Sequence, residues 1–412
     1  MFDKYIDLNL LKLLKIPDDR FRLLTFIGHF SRYTVADVSP KILQLFLLPI
    51  YSRLISADGY GLLQLGLIVN VLVPIVLNLS QEKILYKTYD ADARESDVIF
   101  GKVLNNIILS NLIFTVPIFI LVQLYFQSLF ISVLIIFSSV CTALSTPVTT
   151  KLVLDQNSRK LSKYVLLESV GFNLSLITTA YFAPEWIEIV FVFKGCFWGF
   201  VLLSNFPRNY NFKLHHDSKI LKWSIPLLFV SLSAWSMGFL DRIMLKNVGL
   251  SMVASYSIVY RYSEILTFIS SVYNKTVEAK VNSMIREKSD NQLVPLVLFI
   301  VLLCIAAGLL FWSRGLFELL INPEYNVNFD ILGYLLIGIM LYQVSGWLNR
   351  YFYHWDLNWY LTAVTLVGAL IAILSLSFLI PSYGLVGAAM STCITYFMLF
   401  LLKGIVLFMV KK

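Results

Sequence analysis

The sequence predicts an all-α polytopic membrane protein with about twelve transmembrane helices. Three observations predict it. Hydrophobic residues make up 58% of the 412 and charged ones only 14%, with a mean hydropathy of +0.76, too little polar surface for a soluble globule of this size. Apolar runs of the ~20 residues needed to cross a bilayer recur from residue 25 to the C-terminus. Lysine and arginine gather in alternate connections between those runs.

Residues 1–24 mix acids and bases around Leu8, Leu11 and Leu14 at helical spacing. That pattern predicts a short amphipathic helix at the bilayer surface; it lacks the apolar core and small-residue cleavage site of a signal peptide, so nothing is expected to be cleaved. The first half then holds spans at 25–53, 60–82, 99–126, 128–150, 162–183 and 186–206. The first of these is long enough to tilt, or to bend at Pro40 or Pro49. A basic connection at 207–218 leads to a second half with spans at 219–247, 250–274, 292–313, 328–350, 357–380 and 383–408. The chain thus divides into an N-lobe, 25–206, and a C-lobe, 219–412.

The connections at 83–102, 151–163, 207–222 and 275–288 carry four Lys or Arg each, whereas the intervening ones hold only Arg53, Lys246 and Arg314. The positive-inside rule therefore places both termini in the cytoplasm. The net charge of +8 is a topology signal, and no nucleic-acid partner is expected. Cys141, Cys196, Cys304 and Cys393 lie in apolar runs without a CxxC pair, and the four histidines have no zinc spacing, so packing thiols and no metal or cofactor are expected. No connection exceeds about 20 residues and no GxxxxGK[ST], DxD or G-x-S-x-G occurs, so no soluble catalytic domain is expected.

Ionisable residues at membrane depth cost at least a few kcal/mol each and persist where they pair, snorkel or line a wet path. The candidates are Arg32, Asp37 and Lys41 in span 1, Glu168 in span 5, Lys194 in span 6, Asp241 and Arg242 in span 7, Arg261 and Glu264 in span 8, and Lys403 in span 12. Asp37 and Lys41 share a helix face and read equally as an ion pair or a functional pair. Arg32 and Lys403 lie nearer the cytoplasmic end, where snorkelling is open to them. Lys194 has no acid three or four residues away and needs a partner on another span or water. Asp241 and Arg242 sit near the outer end of span 7, as an outer gate or as an interface marker. Arg261, among Tyr256, Tyr260 and Tyr262, is too deep to snorkel: it is a binding charge, or a lock with Glu264. Amides such as Asn70, Asn78, Asn106, Asn173 and Gln343 are expected to join helices first and to meet sugar hydroxyls second.

Three passages carry a resemblance: "LLPIYSRLISADGYGLLQL" at 47–65, "FLDRIMLKNVGLSMVASYSIVYRYSEIL" at 239–266 and "YGLVGAAMSTCITYFM" at 383–398. Together with twelve spans they resemble the polysaccharide transporters of the multidrug/oligosaccharidyl-lipid/polysaccharide exporter superfamily. The resemblance is nearest to the Wzx-type flippases of O-antigen or capsular repeat units. It implies a MATE-like fold, two six-helix lobes about a central cavity, in a bacterial inner membrane. It implies an undecaprenyl-pyrophosphate-linked oligosaccharide as cargo, and other polysaccharide assembly proteins, such as the polymerase, as partners. Read from depth and charge, Arg261, Arg32, Lys41, Lys194 and Arg242 are the substrate-binding candidates, since guanidinium groups fork onto phosphate oxygens. Asp37, Glu264, Asp241 and Glu168 are the candidates for charge pairing or for coupling to protons or sodium. A drug or cation antiporter would want acids in the path, and buried positives outnumber negatives six to four. A lipid II flippase would run to more spans. A membrane-embedded polymerase or ligase would show a large outer loop, and the longest here is near 314–327.

Overall fold

A computed structural model describes residues 43–88, 93–155, 157–206, 217–286, 293–355 and 357–410. The amphipathic segment at 1–24, Arg32, Asp37, Lys41 and most of the connection at 207–218 lie outside the described residues. Among those described the secondary structure is entirely helical. The helices are α1 (Leu43–Leu54), α2 (Ala57–Asn78), α3 (Ile84–Thr88), α4 (Ala93–Phe126), α5 (Leu129–Leu154), α6 (Ser158–Phe182), α7 (Val190–Ser204), α8 (Ser218–Leu245), α9 (Leu250–Arg286), α10 (Leu293–Leu320), α11 (Asp330–His354) and α12 (Asn358–Val410). Short 3-10 turns at Gln81–Lys83, Pro184–Ile189 and Pro323–Tyr325 join some of them.

Local chemistry sets the helix ends. Ser56 caps α2 by accepting the Gly59 N–H at 3.2 Å, and Asp58 in the first turn suits the helix dipole. The helix stops earlier than the apolar run suggests, at Asn78, because Leu79 and Ser80 take left-handed backbone angles. The last two expected spans form one helical run, α12, interrupted at Gly384, whose φ of 55° and ψ of −125° match the first central residue of a type II′ turn. There the chain reverses, because Ser375 and Ser391 meet at 2.5 Å across the turn. Glycine also permits the close approach beyond it: a Cβ on Gly387 would stand 2.1 Å from the Leu379 carbonyl oxygen.

Eight described helices are long and apolar enough to span a bilayer, α12 counting as one of them, and α1 and Phe299–Trp312 of α10 are shorter apolar stretches. The chain is a multi-pass membrane protein. Helix α9 is absent from that group because Ser251, Ser255, Tyr256, Ser257, Tyr260, Arg261, Tyr262, Ser263 and Glu264 dilute its hydropathy. Its neighbours shield it instead, and Val253, Ala254, Tyr256, Ile258, Val259 and Leu266 are fully enclosed.

The packing repeats between halves. Helix α5 packs on α2, α4 and α7 in the first half, and α11 packs on α9, α10 and α12 in the second. The halves meet where α2 lies along α9 and α8. Lipid tails offer no hydrophobic drive for helix association, so small residues that allow close packing matter at such seams. At Gly61 an added Cβ would fall 2.1 Å from the Leu250 carbonyl oxygen. Intramembrane amides add to this: Asn70 Nδ2 donates to Ser139 Oγ at 2.9 Å, Asn78 Nδ2 to the Ala143 carbonyl at 3.0 Å, and Gln343 Nε2 to Thr267 Oγ1 at 3.0 Å.

Candidate functional site

Arg261 stands eleven residues into α9, about 16 Å from its start at 1.5 Å per residue, near the middle of a ~30 Å hydrocarbon layer. Its Nη1 donates to Gln44 Oε1 on α1 and its Nη2 to Gln64 Oε1 on α2 at 3.0 Å, while Nε is buried without a partner among the described residues. The guanidinium therefore bridges the two halves and rests on neutral carbonyls. The expected lock with Glu264 is not formed: among the described residues no ion pair joins the two, and the Arg261 terminal nitrogens go to glutamines. Beside this seam, Tyr51 on α1 donates to Asn173 Oδ1 on α6.

An apolar cleft of about 400 Å³ opens between the same helices, α1 and α9. Leu45, Phe46 and Pro49 of α1 face Tyr262 and Ile265 of α9 across the cleft, with Trp312 of α10 beyond. Gln44 and Leu45 are consecutive, as are Arg261 and Tyr262, so the polar seam and the apolar cleft lie on the same two helices.

The second cluster is enclosed in the C-terminal half. Asp241 and Arg242, read from the sequence as an outer gate or an interface marker, are 3% and 5% exposed in this conformation. Tyr256 Oη donates to Asp241 Oδ2 at 2.6 Å and lies 3.2 Å from Thr392 Oγ1, and the Arg242 backbone N–H donates to Asp241 Oδ1 at 2.7 Å. The Arg242 guanidinium stacks over Tyr260 with Cζ 3.8 Å from the ring centre, and its Nε has no partner among the described residues. Among the contacts between the halves at this end of the bundle, Lys246 donates to the Tyr125 carbonyl of α4 and lies over the Tyr125 ring at 3.8 Å. Burial pushes the Lys246 amine below the ordinary lysine range. Tyr325 completes the seal by donating to the Ile55 carbonyl at 2.8 Å.

Described contacts also join the halves at the basic-loop end. Lys83 Nζ donates to Ser231 Oγ of α8 at 2.6 Å, and Ser80 meets the same hydroxyl at 3.1 Å. Asn106 of α4 exchanges two hydrogen bonds with the backbone of Asp217, at 3.1 and 2.9 Å. Lys102 lies 3.8 Å from the Asp217 carboxylate. Burial lowers the Lys83 amine and raises the neighbouring Glu82 carboxyl.

Lys194 on α7 and Glu168 on α6 lie on helices packed against each other, where Gly171 lies against the Phe193 ring. Lys403 does not snorkel. It is 2% exposed and reaches the Ser345 carbonyl at 3.3 Å on α11, because the packing of α11 against the last arm of α12 encloses it. The four cysteines are free, with Cys196 and Cys304 exposed and Cys141 and Cys393 half-buried. Sequence reasoning missed Gln44, Gln64, Thr392 and Lys246; the two glutamines were visible as polar residues inside apolar runs.

No protein-family model and no curated protein matches the chain. Solved structures do. The lipid II flippase MurJ in an inward closed conformation superposes with a TM-score of 0.72 at 17% identity, covering 93% of this chain and 87% of that one. An inward-facing multidrug resistance MATE family transporter of the MOP superfamily gives 0.61 at 12% identity, covering 90% and 98%. A MATE protein in the straight conformation gives 0.56 at 12% identity, covering 94% and 96%. The chain therefore has the fold of the MurJ and MATE structures, in a conformation joined between halves at both ends.

Proposed function

We propose that this chain flips a polyprenyl-pyrophosphate-linked oligosaccharide, an O-antigen or capsular repeat unit on undecaprenyl pyrophosphate, from the cytoplasmic to the periplasmic leaflet of a bacterial inner membrane. Arg261 is the observation that carries the reading. A guanidinium near mid-depth, on the seam between halves and resting on neutral amides, has charge left for an anionic headgroup. The shared fold with a lipid II flippase supports a lipid-linked cargo.

In the proposed cycle the N-lobe, 25–206, and the C-lobe, 219–412, rock against each other along α2, α8 and α9, exposing Arg261 first to one leaflet and then to the other. Contacts at Lys83, Asn106 and Asp217 open and close the cytoplasmic end, and those at Lys246 and Tyr325 the periplasmic end. Arg32, Lys41 and Lys194 are the remaining positive candidates along the path, and Arg242, enclosed against Tyr260 in this conformation, would join them only on rearrangement of the C-terminal half. Coupling to protons or sodium would act through Glu168 or Glu264. Asp241 is held by Tyr256 and the Arg242 N–H, which weakens the case for a cation antiporter. A polysaccharide polymerase in the same membrane is the expected receiver of the cargo.

The test is transfer of an undecaprenyl-pyrophosphate-linked repeat unit across proteoliposomes, with Arg261→Ala compared at matched insertion. Transport by the unmodified protein and its loss in the variant are expected. Normal transport by the variant would remove Arg261 from the path, and no transport by either protein would overturn the cargo assignment.

A further inference from the structure

We propose that Gln44 and Gln64 are internal stand-ins for anionic oxygens, and that a pyrophosphate headgroup exchanges with them at Arg261, releasing α1 and α2 from α9. The inference rests on Arg261 being the cation that meets the cargo. Its content is what that meeting does to the protein.

Three features of the seam lead there. The two terminal nitrogens of Arg261 each hold a carbonyl oxygen, and the two oxygens come from different helices, Gln44 on α1 and Gln64 on α2. This is the paired-acceptor arrangement that a phosphate supplies alone. Both acceptors are neutral, no acid lies within ion-pair distance of Arg261 among the described residues, and the buried Nε is unused. Among the described residues the site thus holds a positive charge without an acid and a third donor without an acceptor. Finally, both glutamines belong to the first half and the arginine to the second, so any ligand that takes the guanidinium also cuts a bond between halves.

The exchange is favourable in direction. A hydrogen bond from guanidinium to an ionised oxygen is roughly twice as strong as one to a neutral amide. The freed glutamines keep partners in the ligand, because their amide N–H groups can donate to remaining phosphate oxygens. The route is lateral: the apolar cleft between α1 and α9 is lined by Leu45, Phe46, Tyr262 and Ile265, on the two helices that carry Gln44 and Arg261, and Phe46 is 75% exposed on its flank. A molecule with an anionic head and an apolar chain can approach with its chain in that cleft. A neutral polyprenol can use the cleft but has no charge to draw the guanidinium away. The glutamines thereby make opening depend on the headgroup and not on the tail.

The experiment uses the full chain in nanodiscs with the four native cysteines replaced by serine. Spin labels at Ile50→Cys on α1 and Phe311→Cys on α10, both exposed, report the separation across the cleft. Undecaprenyl pyrophosphate is titrated, with undecaprenol as the neutral control, and binding is measured in parallel. The pyrophosphate lengthens the separation and the alcohol does not. Gln64→Glu places an ionised acceptor on Arg261, so it weakens pyrophosphate binding about tenfold and suppresses the lengthening; Gln44→Glu acts in the same direction. Gln64→Met removes the stand-in, so the separation is already lengthened without ligand and binding is not weakened. If Arg261→Ala abolishes binding while the glutamine variants bind and move like the unmodified protein, the exchange is wrong and the cation reading survives. If Arg261→Ala binds normally, the cation reading fails and the exchange falls with it. If undecaprenol opens the cleft as the pyrophosphate does, the headgroup is not the trigger and the proposal is overturned.

Discussion

Replacing Asp241 by asparagine should destabilise the C-terminal half by about 3 kcal/mol, from weaker hydrogen bonds at a buried acceptor and from a buried guanidinium left without a counter-charge. The carboxylate receives the Tyr256 hydroxyl at 2.6 Å and the Arg242 N–H at 2.7 Å, and its charge offsets a guanidinium that is 5% exposed. Asparagine keeps one acceptor oxygen, so the Tyr256 bond survives in neutral form, a loss of about 1 kcal/mol from charge assistance. The larger part comes from Arg242, which would keep its stacking on Tyr260 and lose its counter-charge. A second substitution, Arg242→Met, removes that uncompensated charge with a side chain of similar reach. The pair Asp241→Asn with Arg242→Met should therefore be at least about 2 kcal/mol more stable than the two single losses summed. Unfolding free energies of the four proteins, measured in bicelles by steric trapping, complete the cycle. Additive losses, or an Asp241→Asn loss under about 1 kcal/mol, would refute an electrostatic origin for this cluster.

Gly61→Ala forces a Cβ to within 2.1 Å of the Leu250 carbonyl oxygen, so α2 and α9 must part by roughly an ångström. Overpacking of this kind costs about 1–3 kcal/mol; the same unfolding assay should show it, and cysteine cross-linking between the two helices should weaken. Lys403→Met removes a buried amine whose described acceptors are the carbonyl and hydroxyl of Ser345. It should leave stability unchanged or raise it, by up to a few kcal/mol, since buried charges are often replaced by apolar groups without loss. A loss above about 1 kcal/mol in thermal unfolding would show that the Ser345 bond outweighs the burial of the charge.

The fold was largely legible because lipid imposes length: each span must be near 20 residues, and the basic connections between spans stand out against them. The second helix was overrun by a few residues, since hydropathy continues past Asn78 while the backbone turns at Leu79. The intramembrane charges were legible as positions, not as partnerships. Glu264, three residues beyond Arg261, was a natural partner by spacing, yet the guanidinium reaches two glutamines about 200 residues away in sequence. Helical spacing sees only one face of one helix, and the contacts that decide these charges cross between helices. Lys403 shows the same limit: proximity to a span end suggests a route to water, and only the packing of α11 closes it.

Gly384 has a consequence for biogenesis. Because α12 reverses within a single turn, its 53 residues present almost no hydrophilic connection for translocation. The two arms are closely joined there, with Ser375 and Ser391 in contact and Gly387 against Leu379. Neither arm needs to settle alone in lipid before the other emerges from the ribosome. The final pair can thus partition into the bilayer as one preassembled hairpin, and its orientation is fixed by the side on which Asn358 begins.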